Sequence, residues 1–144
     1  MRRALLRAGH EEEEVDSAIA RLRRERLLDD GRFAERFALS RIAQQGLGQR
    51  RVEVALRQRG VSSKAARAGL ASALQEVSEA EVLDSLARRR WKTWVRDEPE
   101  RRMRRLWRFL LGRGFPPALV RDRLRLISAR HLDALEPELL ESVE

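Results

Sequence analysis

Cysteine and tyrosine are absent from the sequence, and aromatic residues make up only 5% of its 144 positions. Without cysteine the chain can form no disulfide, no cysteine-based zinc site and no thiol nucleophile. Runs of 18 or more apolar residues are also missing, which excludes a membrane-spanning helix. The mixed amphipathic pattern that follows Met1 argues against a cleaved signal peptide. We therefore expect a cytoplasmic protein with no membrane partner.

Positive charge is abundant but unevenly distributed along the chain. Lys and Arg number 31 against 23 Asp and Glu, a net charge of +8, and only Lys64 and Lys92 are lysines. Residues 88–127 alone hold 14 of these bases and four acids, whereas residues 128–144 hold one base and five acids. This concentration favours an anionic partner, either nucleic acid or an acidic protein surface. A genome rich in G and C would also enrich arginine, so composition alone leaves both explanations open.

The pattern of apolar residues predicts an all-α protein. No segment alternates apolar and polar residues as a strand would, and apolar residues instead recur at helical spacing, as in Val52 and Leu56. The predicted helices lie near residues 1–8, 11–26, 30–45, 49–59, 62–75, 78–95, 99–113 and 116–128, with a weaker one at 131–143.

Local signals predict where several helices begin. Ser78 and Glu81 form a capping-box pattern, in which the serine hydroxyl accepts a hydrogen bond from the amide three residues later. Asp29 is predicted to cap another helix, with Leu28 and Phe33 as its hydrophobic staple. Helix stops are predicted at four glycines, Gly9, Gly46, Gly60 and Gly114.

An internal repeat emerges when the chain is aligned on Gly9, Gly60 and Gly114. The position four residues before each glycine is leucine, at Leu5, Leu56 and Leu110. The sixth position after it is apolar in all three cases, at Val15, Ala66 and Val120. Such spacing is typical of tandem supersecondary units, here of three helices each. We predict an elongated, curved array of these three-helix repeats.

The repeat divides the chain into four parts. We expect residues 1–27 to form a partial first repeat that lacks its first helix, and residues 28–76 to form the second repeat. Residues 77–127 form the third, strongly basic repeat, and residues 128–144 form an acidic C-terminal tail.

Two of these repeats resemble the RecX family. Residues 27–34 (LLDDGRFA), 46–52 (GLGQRRV) and 56–61 (LRQRGV) look like its central repeat, and Trp91 with residues 108–115 (RFLLGRGF) looks like its third. The structural motif carried by this resemblance comprises Asp29, Arg32, Phe33, Gly60, Gly114 and Phe115.

The resemblance implies a non-enzymatic regulator of the bacterial recombinase RecA. RecX proteins lie in the groove of the RecA–DNA filament. The resemblance implies that this chain inhibits ATP hydrolysis, strand exchange and coprotease activity of the filament. It would thereby affect recombination, DNA repair and the SOS response. We expect a monomer that binds the RecA filament, with single- or double-stranded DNA as a further partner. Two alternatives stay open: a helical module that binds DNA without RecA, and a structural adaptor whose arginines only solubilise it.

The predicted filament- or nucleic-acid-binding residues are the bases of the third repeat. They are Arg88, Arg89, Arg90, Lys92, Arg101, Arg102, Arg104, Arg105, Arg108 and Arg113. Trp91 and Trp107 are expected to pack into the helical core rather than to stack on bases, and Trp94 is undecided between the two.

No candidate catalytic or metal site emerges from the sequence. Residues 11–14 are four consecutive glutamates, which on a helix point in different directions and at its N-terminus complement the dipole. His10 and His131 have no second ligand at metal-binding spacing. Motifs for phosphate loops, metalloproteases and serine hydrolases are missing. We predict that the protein is not an enzyme and uses no cofactor.

Overall fold

The computed structural model describes residues 2–131 and folds them into seven α-helices. They are α1 (Arg2–Arg7), α2 (Glu12–Ala43), α3 (Gln49–Gln58), α4 (Ser63–Glu76), α5 (Glu79–Thr93), α6 (Pro99–Gly112) and α7 (Pro117–His131). The predicted all-α class is confirmed. The weak helix predicted after residue 131, and most of the acidic tail, lie outside the described residues. Within residues 2–131 no helix is both long enough and apolar enough to cross a membrane.

The four predicted glycine stops are confirmed. All four glycines have positive φ, with values of 82° at Gly60 and 94° at Gly114. At Gly60 the Val61 amide donates to the Leu56 carbonyl at 3.2 Å, and the Gly60 amide donates to the Arg57 carbonyl at 2.9 Å. This is the Schellman arrangement, which satisfies carbonyls at the end of a helix and needs a residue tolerant of positive φ.

The same arrangement explains the predicted repeat. The leucine four residues before each glycine supplies the carbonyl that accepts the bond closing the turn. Leu56 and Leu110 are fully buried, whereas Leu5 is only partly buried. The difference follows from the packing, because α1 lies against α2 alone among its main contacts, while α3 and α6 each pack in a three-helix unit.

The predicted helix start at Asp29 is wrong. Helix α2 runs without interruption through Asp29 and Gly31, and the proposed staple residues Leu28 and Phe33 are 66% and 45% exposed. An aspartate can cap a helix but can also sit within one at a cost below about 1 kcal/mol. The flanking Arg and Leu residues favour helix strongly. The helix therefore continues across the predicted boundary between the first and second repeats.

Two hydrophobic cores follow one another along the chain. The first lies between the C-terminal half of α2, α3 and α4, and the second between α5, α6 and α7. In the first core α2 and α4 approach closely, since a Cβ atom on Gly69 would lie 2.4 Å from the Cβ of Ala34. We call the helices around these two cores the second and third units. Between them the helical path breaks at Val77 and Ser78, where Ser78 caps α5 by accepting from the Glu81 amide at 3.3 Å.

The two units are joined backbone to backbone. The Gly48 amide donates to the Arg113 carbonyl at 2.8 Å, and the Arg50 amide donates to the Gly114 carbonyl at 3.1 Å. A Cβ atom on Gly48 would lie 2.2 Å from the carbonyl carbon of Gly114, so only glycine permits this approach. We call this contact between the turn before α3 and the turn after α6 the joint.

A buried carboxylate, that of Glu79, adds two side-chain hydrogen bonds between the units beside the joint. Glu79, at the start of α5, accepts from the backbone amide of Gln49 at 2.8 Å and from its side-chain amide at 2.9 Å. The Gln49 amide belongs to the first turn of α3, where amides have no partner inside the helix. Glu79 of the third unit thus caps a helix of the second unit. Burial raises the pKa of the Glu79 carboxyl above its ordinary 4.5, and the two hydrogen bonds offset this only in part.

Candidate interaction surface of the third unit

The ten bases predicted to bind a filament or nucleic acid lie on α5, α6 and the turn after α6. The structure brings them together on one three-helix unit, but it gives them different surroundings. They fall into exposed side chains, surface ion pairs and side chains that hold the unit together.

Five of the ten are exposed, without an acidic partner and away from any aromatic ring. None of them has a carboxylate oxygen within 4.0 Å in the described part of the chain. They are Arg88, Arg89, Lys92, Arg101 and Arg108. Arg88 and Lys92 are four residues apart on α5, and Arg101 and Arg108 are seven apart on α6, so each pair lies along one face of its helix. These positions offer unneutralised charge to a partner.

Two further arginines are paired with acids at the surface. Arg104 lies 3.3 Å from Glu100 one helical turn away, and Arg105 lies 2.9 Å from Asp97. Exposed pairs of this kind contribute little to stability, typically about 0.2–1 kcal/mol. They do reduce the charge that Arg104 and Arg105 present outward.

Arg102 covers the core instead of facing solvent freely. Its guanidinium carbon lies 3.9 Å from the centre of the Trp91 ring, and the guanidinium donates to the Trp91 carbonyl. Burial lowers the pKa of this guanidinium, with a smaller opposing effect from Asp97. Arg105 lies over Trp94 in the same way, at 4.3 Å. These cation–π contacts fasten α6 to the end of α5.

The three tryptophans all pack against the core of the third unit, and each remains partly exposed. The prediction that Trp91 and Trp107 belong to the core is confirmed as packing, although neither is fully buried. Trp94 joins them, with its ring edge-on to Phe109 at 5.8 Å. Arginine contacts cover Trp91 and Trp94, so these two rings are not open platforms for stacked bases.

The remaining two arginines, Arg90 and Arg113, lie near the joint. Arg90 is exposed, and its guanidinium lies over the Phe109 ring. The Arg113 side chain donates to the Gly46 carbonyl at 3.2 Å and also to the Gln45 carbonyl, so it ties the end of α6 to the turn after α2. Burial lowers the pKa of the Arg113 guanidinium, and the positive charges of Arg51 and Arg90 lower it further. The Arg113 side chain therefore serves in part to hold the two units together.

The residues of the predicted structural motif occupy two kinds of place. Gly60, Gly114 and Phe115 form the turns that precede α4 and α7, and Phe115 is buried. Asp29, Arg32 and Phe33 instead lie on the exposed side of α2. The Phe33 ring touches Phe37 on the next turn of that helix, with 5.8 Å between ring centres.

Sequence reasoning missed three structural side chains. Asp84 on α5 is buried and pairs in a two-pronged arrangement with Arg123 on α7, whose pKa this hydrogen bonding raises. Arg51 donates to the Gly112 carbonyl at 3.1 Å across the joint. The only sequence signal for Asp84 was an acid at a core-facing helical position, seven residues before Trp91. No local signal marked Arg51.

Tandem three-helix units, with an arginine-rich surface on the last of them, define a helical-repeat protein. Comparison with protein families shows which kind of helical-repeat protein this is. Residues 29–70 match the second three-helix domain of RecX, and residues 78–124 match the third. The chain belongs to the RecX family of regulatory proteins.

Individual relatives agree with this assignment. The chain is 32% identical over 129 residues to a regulatory protein RecX of Amycolatopsis mediterranei, covering 87% of this chain and 73% of that one. It is 33% identical over 133 residues to a regulatory protein RecX of Pseudomonas fluorescens, covering 91% and 80%. Its fold is similar to the crystal structure of RecX from Lactobacillus salivarius, with a TM-score of 0.64 and 17% identity over 89% of this chain and 82% of that one.

Proposed function

We propose that this protein binds in the groove of the RecA–DNA filament and inhibits its ATPase, strand-exchange and coprotease activities. In this proposal it modulates recombination, DNA repair and the SOS response without catalysing a reaction and without a cofactor. It acts in the cytoplasm as a monomer. Membership of the RecX family supports the choice of RecA as partner.

The observation that carries the proposal is the set of five exposed bases on α5 and α6 with no acidic partner within residues 2–131. A RecA–DNA filament presents nucleic-acid phosphates and acidic protein side chains together. Guanidinium groups pair well with both, because their planar donors match two oxygens at once.

The mechanism is conformational and steric. A regulator shifts a filament between states only if it binds those states with different affinity. The joint holds the second and third units in a fixed relation, so a filament state in which protomer spacing fits that relation is bound more tightly. We infer that the favoured state hydrolyses ATP slowly, or that the bound protein blocks addition of the next protomer.

The test is the RecA ATPase on single-stranded DNA. The wild-type protein is expected to inhibit it at stoichiometric amounts. A variant with Arg88, Lys92, Arg101 and Arg108 all changed to Gln is expected to inhibit at least tenfold less well. A matched control changes Arg3, Arg7, Arg23 and Arg36, four exposed bases outside the third unit, to Gln. Equal inhibition by the two variants would contradict a specific role for the third unit, and no inhibition by the wild type would refute the proposed function.

The same five bases also favour a second candidate, direct binding to DNA without RecA. That candidate predicts tight binding to naked single strands. For each phosphate neutralised, the logarithm of the affinity should fall by roughly 0.7 for every tenfold rise in salt concentration. Binding to RecA filaments that is no tighter than binding to the same DNA alone would favour this second function.

A further inference from the structure

We propose that Arg51, Arg90 and Arg113 form a binding site for a phosphoryl group at the joint between the second and third units, and that a nucleic-acid backbone supplies this group. The anion site rests on the geometry of the joint. Only the choice of nucleic acid over free phosphate as the source rests on the proposed function.

Three guanidinium groups from different elements lie at or beside the joint. Arg90 on α5 and Arg113 after α6 both lie over the Phe109 ring, with their guanidinium carbons 4.7 Å and 5.7 Å from its centre. Arg51 on α3 reaches the Gly112 carbonyl at 3.1 Å, one residue before Arg113. The second unit therefore contributes one cation and the third unit contributes two.

The three charges lack a counter-ion within the chain as described. No carboxylate oxygen of residues 2–131 lies within 4.0 Å of any of the three guanidinium groups. The first turn of α3 adds the positive charge of Arg50 beside that of Arg51, while the Glu79 carboxylate caps the helix at Gln49. Like charges held together in this way are unfavourable until an anion binds between them.

Open space adjoins two of the three arginines, Arg90 and Arg113. A cleft of about 620 Å³ lies between the two units, and Arg90 and Arg113 line it together with Arg89 and the hydroxyl-bearing side chain of Thr93. Glu76 and Glu81 also line this cleft, and they make it unfavourable for an anion to fill it completely. Arg89, Arg90 and Arg113 thus make one part of the cleft positively charged, with room for a group of phosphate size.

The donors fit phosphoryl oxygens better than a lone carboxylate. Arg51 and Arg113 each use part of their guanidinium on backbone carbonyls, which fixes their orientation and leaves further N–H groups to donate. Arg90 has its face against Phe109, so its edge donors remain available. Cations contributed from both sides of the joint match successive charges along a phosphate backbone, or a group with three or more acceptor oxygens.

The first test measures thermal unfolding in inorganic phosphate against chloride at equal ionic strength. Phosphate is expected to raise the melting temperature of the wild type more than chloride does, because ligand binding stabilises the folded state. The gain should be lost in Arg51→Gln/Arg90→Gln but kept in Arg36→Gln/Arg125→Gln, a control with the same net charge and two exposed arginines remote in sequence from the joint. Arg90→Gln alone, which removes no hydrogen bond of the fold, guards against damage by the Arg51 change. An equal response of wild type and both site variants would overturn the site.

The second test uses labelled oligothymidylate and fluorescence anisotropy. The Arg51→Gln/Arg90→Gln variant is expected to bind about tenfold more weakly than the Arg36→Gln/Arg125→Gln control, which corresponds to about 1.4 kcal/mol. A response to inorganic phosphate without any loss of oligothymidylate binding would assign the site to free phosphate and overturn the nucleic-acid source. Tighter binding of polyglutamate that needs the same two arginines would overturn the phosphoryl assignment. RecA ATPase inhibition is measured separately, so its absence would refute the proposed function and leave the anion site standing.

Discussion

Arginine has three distinct roles in the third unit. Arg102 covers Trp91, Arg113 bonds to carbonyls of the preceding unit, and Arg101 faces solvent with no acidic partner in the described chain. The long apolar stem and planar head of arginine allow all three, since the stem packs against apolar surface while the head bonds or stays hydrated. The density of arginine in the sequence therefore overstates the charge that is available to a partner.

Glu79 is a second residue whose role depends on its surroundings. Its carboxylate is buried at the joint, where it caps α3 from another unit. Because its pKa is raised in the folded state, the folded protein binds this proton more tightly than the unfolded chain does. The contribution to stability is therefore present at acidic pH and falls as the pH rises through the raised pKa.

We predict that Glu79→Gln removes this pH dependence. The amide oxygen of glutamine can still accept a hydrogen bond from Gln49 but carries no charge to desolvate. The free energy of unfolding of the variant, relative to wild type, should increase as the pH rises from below 4.5 through the raised pKa of Glu79. Urea unfolding at a series of pH values measures it, with Glu76→Gln as a control at an exposed glutamate. A difference that stays constant with pH would contradict the prediction.

Glycine has different consequences in two helices, α2 and α4. Gly31 lies within the helix, with a negative φ and no atom within 4 Å of the place that a Cβ would occupy. Gly69 on α4 is also helical, but there a Cβ would lie 2.4 Å from Ala34 and 2.7 Å from the Glu35 amide nitrogen. The first glycine only weakens its helix, whereas the second allows two helices to touch.

We predict opposite effects for alanine at these two sites. Gly31→Ala should stabilise the protein by about 0.5–1 kcal/mol, because alanine loses less backbone entropy in a helix. Gly69→Ala should destabilise it by about 1–3 kcal/mol through overpacking of α2 against α4. Chemical denaturation of both variants measures these differences. A loss of stability in Gly31→Ala would mean that α2 bends at this point in solution.

The elements that sequence predicted well are those with local causes. A turn at Gly60 needs positive φ and a carbonyl four residues earlier, and both are properties of adjacent residues. The cap at Ser78 is local in the same sense. The start predicted at Asp29 is wrong because a capping residue permits a helix start but does not force one, and the backbone stays helical through this position.

The site was less predictable than the fold because its contacts are distant in sequence. Charge counting located the basic unit, but it did not separate Arg102 and Arg113 from Arg101 and Arg108. That separation depends on where Trp91 of α5 and the Gly46 turn lie relative to α6, which only the packed units define. The assignment of individual binding residues stays a prediction.

At the scale of the whole molecule, the joint determines how the two units act together. Two backbone-to-backbone hydrogen bonds join the turns, and the side chains of Glu79, Arg51 and Arg113 add further hydrogen bonds beside them. Gly48 has φ of −78° and ψ of 160°, which any residue adopts readily, so the requirement for glycine comes only from the approach of Gly114. A substitution at Gly48 should therefore change the contact between the two units without changing the local backbone conformation.

We predict that Gly48→Ala opens the joint while both cores stay folded. The added Cβ would lie 2.2 Å from Gly114 and Phe115 backbone atoms, which cannot shift without separating the turns. Hydrogen exchange should quicken at the amides of residues 48 and 50 and remain slow in the middle of α4 and α6. Gly112→Ala, next to the joint but with open space around it, is the matched control. Unchanged exchange at residues 48 and 50 would contradict the prediction.

The unbroken α2 has a geometric consequence for the first unit, by which we mean α1 and the N-terminal half of α2 that it packs against. A helix of 32 residues is about 48 Å long, and each residue turns it by about 100°. Removing one residue between the two ends of α2 would therefore swing α1 about 100° around the helix axis and draw it only about 1.5 Å closer. A deletion near Val77, by contrast, falls in a turn that can adjust. The number of residues in α2 thus sets the rotation of the first unit about the helix axis, and with it the direction in which the surface of that unit faces.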